Sequence, residues 1–375
     1  MNNPKAAFRY VTSARTRATE YEEVTLHSQW SPHNFAKQGW FNLGRDGRPS
    51  WDERSTRLKC VALPKPSTWW YDESRAQARI PAVAFDRDHH IEQSARWSQA
   101  GWWGYRDPAQ MWFRPYVEMQ ARQENSIQLA MDGAGRLGLY QNVGEAWLGF
   151  LGRQYAAWRY AEYGLFMALC YAQREALSDV VATPFLFQAV DKERHAQDIA
   201  LHCMALEEQV KGFSDAGAMD IWMGDPALQP TRRFVEYLLA CRDWAEIIFA
   251  VNLAFEPLVG RLLGNYLIAQ QACACGDPVT PLIAETVETD RQRAIASTAE
   301  LARFVIANDP GNHTVIQEWL DHWTPQATAA AEALGALAKY PHDDPARFRT
   351  MLQRLQAEQT DLIASIGLTQ SRVSA

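Results

Sequence analysis

From about Asp107 onward, apolar residues recur at helical spacing through long segments. The pattern predicts helices over 108–132, 138–175, 181–211, 229–271, 279–308, 312–339 and 345–364. Turn and breaker residues separate them: Asp132-Gly133, Thr183-Pro184, Gly212, Gly224-Asp225-Pro226, Gly276-Asp277-Pro278, Asp309-Pro310-Gly311 and Pro341. No comparable strand alternation is present. The expected fold class is all-α, and several helices exceed the average of about 12 residues, as a large bundle requires.

The first 105 residues read differently. Pro, Gly, Asp and aromatics are interspersed without a sustained period of 3.6 or 2. So long a segment without regular structure argues against an independent globular domain. It is also too aromatic for a solvated tail. The expected organisation is an extended, largely irregular N-terminal arm over 1–105 and one helical domain over 106–375.

Composition sharpens this picture at the arm. The chain has 15 tryptophans, and Trp30, Trp40, Trp51, Trp69, Trp70, Trp97, Trp102, Trp103 and Trp112 all fall before residue 115. Large aromatics are favoured where a partner covers a surface. Trp40, Trp51, Trp102, Trp103, Trp112 and Tyr116 are the interface candidates. Net charge is −7 with no long basic block, which disfavours nucleic acid. No apolar run approaches the roughly 18 residues that span a bilayer, so no membrane partner is expected. The first residues lack the apolar core of a secretory signal, and the cytoplasm is the expected compartment. The cysteines lie mostly in apolar helical stretches, as small core residues do, and Cys273 and Cys275 form an isolated pair at a loop.

The chemistry-bearing signal is a pair of altered metal boxes. Asp191-Lys192-Glu193-Arg194-His195 has the outline of the Asp-Glu-x-Arg-His box of ferritin-like di-iron proteins. In that box a Glu and a His three apart share a metal from one helix face. Here Lys192 stands where the Glu belongs. Glu162, about one helix hairpin upstream, has the place of the partner carboxylate. A second box is Asp290-Arg291-Gln292-Arg293-Ala294, with Glu256 near its partner position. There Arg291 replaces the Glu and Ala294 replaces the His. A di-iron site needs four carboxylates and two histidines. Glu162, His195 and Glu256 leave that set half filled, and Lys192 and Arg291 would repel Fe(II). A buried carboxylate without metal needs another countercharge. The spacing therefore predicts that Lys192 pairs with Glu162 and Arg291 with Glu256. No phosphate loop or nucleophile elbow is present.

Several stretches together resemble a known family: GRPSW (47–51), YRDPAQMWFRPYV (105–117), AEYGLF (161–166), LSD (177–179), DKERHAQ (191–197), NLAFEPLVG (252–260) and the box at 290–294. The chain resembles the beta subunit of the hydroxylase of bacterial soluble di-iron multicomponent monooxygenases. These enzymes oxidise methane, butane, propane, alkenes, toluene or phenol. The resemblance implies a ferritin-like bundle without metal of its own. It also implies a di-iron centre in a paralogous alpha subunit, and a reductase and small regulatory protein at the level of the complex, with or without a gamma subunit. The competing expectations are an independent metal-dependent enzyme of ferritin-like fold and a stand-alone interaction scaffold.

Overall fold

A computed structural model describes residues 105–369, except Leu177, Ser178, Arg242, Asp309, Tyr340, Pro341 and Asp343. Trp40, Trp51, Trp102 and Trp103 lie outside the described residues. Residues 107–173 and 183–369 belong to one compact unit, which carries the site described below.

All regular structure among the described residues is helical. The elements are α1 (Phe113–Arg136), α2 (Glu145–Phe150), α3 (Ala156–Glu175), α4 (Asp179–Gln209), α5 (Ala218–Gly224), α6 (Gln229–Ala240), α7 (Trp244–Phe249), α8 (Gln271–Ala274), α9 (Thr280–Asn308), α10 (Gly311–Ala333) and α11 (Pro345–Ser365). A π-helical turn, Leu151–Tyr155, joins α2 to α3. Two longer π-helical stretches, Ala250–Gly260 and Leu262–Gln270, join α7 to α8 in one rod.

The sequence pattern places most of these helices, and the differences have local causes. Asp132-Gly133 does not stop α1, which runs to Arg136, because Gln128 donates to Asp132 and an interior glycine costs only about 1 kcal/mol. The segment expected as one helix over 229–271 breaks at Cys241–Asp243. Asp243 there caps a new helix, accepting from Ala245 N at 2.9 Å. The helix expected from 138 begins at Glu145, after a 3₁₀ turn. The loop before α9 turns on Gly276, whose φ is +79° and where a Cβ would stand 2.7 Å from Asn142 O. Asp277 then accepts from Val279 N and Thr280 N at 3.0 Å and from Trp147 Nε1 at 2.9 Å, which fastens α9 to α2.

The rod Trp244–Ala274 is the centre of the bundle. It packs against α9, α10 and α11. It is also long and apolar enough to cross a membrane by composition, with mean hydropathy 1.5 over its best window, which corrects the expectation that no such run exists. That window is 94% buried inside the protein, so the same apolarity marks a core helix. Pro257 lies within it and cannot donate to the ladder. Gln359 of α11 supplies donors there, reaching Leu253 O at 2.8 Å and Ala254 O at 3.0 Å. Around the rod the large core side chains interlock: Phe234 meets Phe255 and Trp323 with ring centroids 4.9 Å apart in both cases. The expectation of core cysteines holds for Cys203, which is buried, whereas Cys273 is exposed and Cys170, Cys241 and Cys275 are half-buried.

Candidate functional site

α3, α4, the π stretch Ala250–Gly260 and α9 bring the two altered boxes together. Glu162, Lys192, His195, Glu256 and Arg291 are all buried, and all meet in one cluster. Ala294 is buried too, but its methyl group offers no donor atom.

The Lys192 ammonium lies between the two partner carboxylates. It is 2.9 Å from Glu162 Oε2 and 2.5 Å from Glu256 Oε1. Arg291 reaches Glu256 Oε2 at 2.6 Å and Glu288 Oε2 at 2.5 Å. Spacing along the chain leads to Lys192 with Glu162 and Arg291 with Glu256. The structure adds that one ammonium ties both carboxylates together across the bundle. His195 closes the remaining side, with Nδ1 3.4 Å from Glu162 Oε2 and Nε2 3.3 Å from Asp290 Oδ2. Trp158 Nε1 donates to Glu162 Oε1 at 2.9 Å.

The electrostatics follow from these contacts. Burial pushes the Glu162 carboxyl up, but Lys192 and His195 outweigh it and hold the acid below the usual carboxylate range. Burial disfavours the charged Lys192, but Glu162 and Glu256 raise its pKa above that of a free lysine. Burial likewise disfavours charge on His195, while the hydrogen bonds to Asp290 and Glu162 raise it.

A di-iron centre does not fit this donor set. Between Glu162 and Glu256 stands a protonated amine that is ion-paired with both. Arg291 presents a second cation at the next ligand position, and Ala294 supplies nothing. Among the described residues, no group of three or more His, Cys, Asp or Glu side chains is arranged to hold a metal ion. The arrangement does electrostatically what bridging metals do mechanically: it ties α3, α4, the central rod and α9 through charged, directional contacts.

A second tier of this network was not singled out from the sequence. The Asp and Arg of each box pair with those of the other. Arg194 Nη2 is 2.6 Å from Asp290 Oδ2, and Arg293 binds Asp191. The Gln120 amide donates to Asp191 Oδ1 and Asp290 Oδ1, both at 3.0 Å. Burial and the neighbouring Asp290 push the Asp191 carboxyl up to about 6. The signal was present, because Asp191/Arg194 and Asp290/Arg293 share one offset in both boxes. Tyr116 also belongs here, which corrects its assignment as an interface residue. Its side chain is buried, stacked on Phe187 with centroids 4.2 Å apart, and its hydroxyl donates to Asp191 Oδ1 at 2.8 Å. Trp112, four residues earlier, is 75% exposed. At Gly260 a Cβ would collide with Glu256 Oε2 and stand 2.9 Å from Arg291 Nε, so the pair needs a glycine there.

Further along α4, His202 is fully buried, and neither ring nitrogen has a hydrogen-bond partner among the described residues. Burial lowers its pKa, so the ring is neutral in the fold. A histidine with a depressed folded pKa binds its proton preferentially in the unfolded chain. Its contribution to stability is therefore present above the unfolded pKa of about 6.5 and declines as pH falls below it. We expect His202→Leu to flatten the loss of stability between pH 7 and 5 in denaturant titrations. Parallel acid limbs for the variant and the parent would show that His202 does not contribute.

An all-helical bundle with two metal boxes whose ligands have become cations defines a ferritin-like scaffold of the di-iron type. The comparisons with known proteins give its family: residues 87–309 match the model of the methane/phenol/alkene hydroxylase family, and the chain belongs to that family. It is 30% identical over 370 residues to the small subunit of the propane 2-monooxygenase hydroxylase component of Mycolicibacterium goodii, covering 96% of this chain and 89% of that one. It is 27% identical to the beta chain of methane monooxygenase component A of Methylococcus capsulatus, covering 88% of this chain and 79% of that one. A solved structure of toluene 4-monooxygenase, with toluene bound in its resting active site, matches with a TM-score of 0.59 and 27% identity. That match covers 62% of this chain and 77% of the other. Several relatives matched along most of their length are named as small subunits, beta subunits or beta chains of propane, methane and toluene monooxygenases.

Proposed function

We propose that this chain is the metal-free small subunit of a multicomponent monooxygenase hydroxylase, and that iron, dioxygen activation and substrate oxidation belong to a partner alpha subunit. The observation that carries the reading is the Lys192 ammonium bound by both Glu162 and Glu256. The complex would insert one oxygen atom from O2 into a small hydrocarbon. Electrons would come from NAD(P)H through a reductase, with a regulatory protein and, in some assemblies, a gamma subunit. A cytoplasmic location accords with this role.

In such a complex this chain contributes no catalytic residue. Its ion-paired core gives a rigid body against which the helices of the partner are held, and metal ligands tolerate only about 0.5 Å of looseness. The start of α1 offers one contact surface: Trp112 and Phe113 are 75% and 67% exposed, and Val117, one turn on, is 45% exposed. The aromatic segment 1–105 offers another. Reconstitution tests the reading. Alpha subunit, reductase and regulatory protein are assayed for substrate oxidation with and without this chain. We expect turnover to depend on it by at least tenfold. Equal rates without this chain would overturn the obligatory role.

A further inference from the structure

Along α4, buried polar groups gather that the protein's own hydrogen bonds leave incomplete. His195 and His202 are seven residues apart on that helix, which is two turns and roughly 10 Å. Beside His195 lies a partly open cavity of about 40 Å³, whose polar wall is Tyr155, Glu162, His195, Thr280 and Arg291. Beside His202 lie the rings of Tyr140 and Tyr155, each with its centroid 6.1 Å from that of the imidazole. Tyr155, the last residue of the π-helical turn before α3, therefore belongs to both places.

Tyr140 and Tyr155 are 2% exposed, and His202 is fully buried. Among the described residues neither hydroxyl has a hydrogen-bond partner, nor has either ring nitrogen of His202. At the cavity, Glu162 Oε2 and His195 Nδ1 have charged neighbours but no well-formed hydrogen bond. The remaining polar wall is committed: the Thr280 hydroxyl donates to Asp277, and Arg291 is held by Glu256 and Glu288. Burial raises both phenols, Tyr140 to about 12, and lowers His202, so all three groups are neutral. Neutral phenol and imidazole each both donate and accept. Buried polar groups in native proteins are nearly always partnered, by protein or by ordered water. An anion here would face Glu162, and a cation would face Lys192 and Arg291. A small neutral molecule that donates and accepts suits every atom on the wall. One water takes about 10–15 Å³, so the cavity has room for more than one.

We propose that this part of the core is a binding site for structural water. Ordered water in the cavity bridges the Tyr155 hydroxyl to Glu162 and His195, and ordered water at His202 bridges the imidazole to Tyr140 and Tyr155. The result is one hydrogen-bonded chain from the 3₁₀ turn Leu139–Asn142 along α4 to the ion-paired cluster. It fastens the turns that carry Tyr140 and Tyr155 to α4 through bridging molecules. The site is formed by this chain alone, so it stands whether or not the subunit assignment does.

Crystals of the purified protein, with whatever subunits co-purify, are measured at a resolution that shows ordered water. Water is expected within hydrogen-bond distance of the Tyr155 hydroxyl and of Glu162 or His195, with another at His202. Thermal unfolding of Tyr155→Phe and Tyr140→Phe gives an independent reading, in which the sign decides. Both variants keep the aromatic ring and its packing. Removing a hydroxyl that is buried without a partner relieves a desolvation penalty and raises Tm. Removing one that holds a water leaves that water and its other partners short of a bond, and lowers Tm. We expect Tm to fall in both variants, and the water nearest each lost hydroxyl to be lost from their crystals. An unchanged or raised Tm in either variant would overturn the proposal. So would crystals of the parent with no water at either place, or with these side chains hydrogen-bonded directly to one another.

Discussion

Replacing Lys192 by methionine is expected to destabilise the folded chain by about 3–5 kcal/mol, the cost of breaking a buried ion pair from one side. The ammonium is the countercharge of two carboxylates at once, and Glu162 and Glu256 are 4% and 1% exposed. Without it Glu162 keeps the neutral hydrogen bond from Trp158 and the longer contact to His195, and Glu256 depends on Arg291. Both acids lose the field that keeps them ionised, and they take up protons or expose themselves to water. For a domain of this size, the Tm would fall by roughly 10 °C. Double-mutant analysis separates charge from packing: Glu162→Gln should cost less in the Lys192→Met background than in the parent. A loss below about 1 kcal/mol in Lys192→Met, measured by denaturant titration, would show that the network is not the chain's internal clamp.

Removing residues 1–105 is expected to leave the bundle folded and to weaken its association with the partner by several orders of magnitude. The described residues include a core of their own aromatics: Trp147, Trp158, Trp222, Trp244, Trp319 and Trp323 are all buried. The removed segment holds eight tryptophans with no period that would pack a core of its own: Trp30, Trp40, Trp51, Trp69, Trp70, Trp97, Trp102 and Trp103. An aromatic anchor at an interface contributes on the order of 2 kcal/mol or more, so three such anchors weaken binding by roughly four powers of ten when lost. Circular dichroism should show retained helicity, and titration against immobilised alpha subunit should show the loss. Unchanged affinity would assign the tryptophans to something other than the partner.

Which parts of this were readable in advance depended on how local their cause is. Helices with strong periodicity, such as α9 and α11, match their predicted spans closely. The break at Cys241–Asp243 was missed because the apolar pattern continues across it, and only the cap on Asp243 reveals it. The π-helical character around Glu256 was also invisible, since it depends on Pro257 and on Gln359 arriving from α11. At the site, the pairings of Lys192 and Arg291 followed from charge and spacing. The bridging of Glu162 and Glu256 by a single ammonium did not, because it requires the distance between two helices. Tyr116 was misread for the same reason. An aromatic near a helix start looks alike whether it faces solvent, as Trp112 does, or turns inward to Asp191.

The central claim is that cations have taken the place of metal in this chain while the complex keeps its iron elsewhere. Locating iron in the purified complex tests it most directly. Anomalous diffraction at the iron edge, paired with metal analysis of separated subunits, should place all iron in the partner chain and far less than one iron in this one. Two irons bound at Glu162, His195 and Glu256, and lost on changing them, would contradict the account.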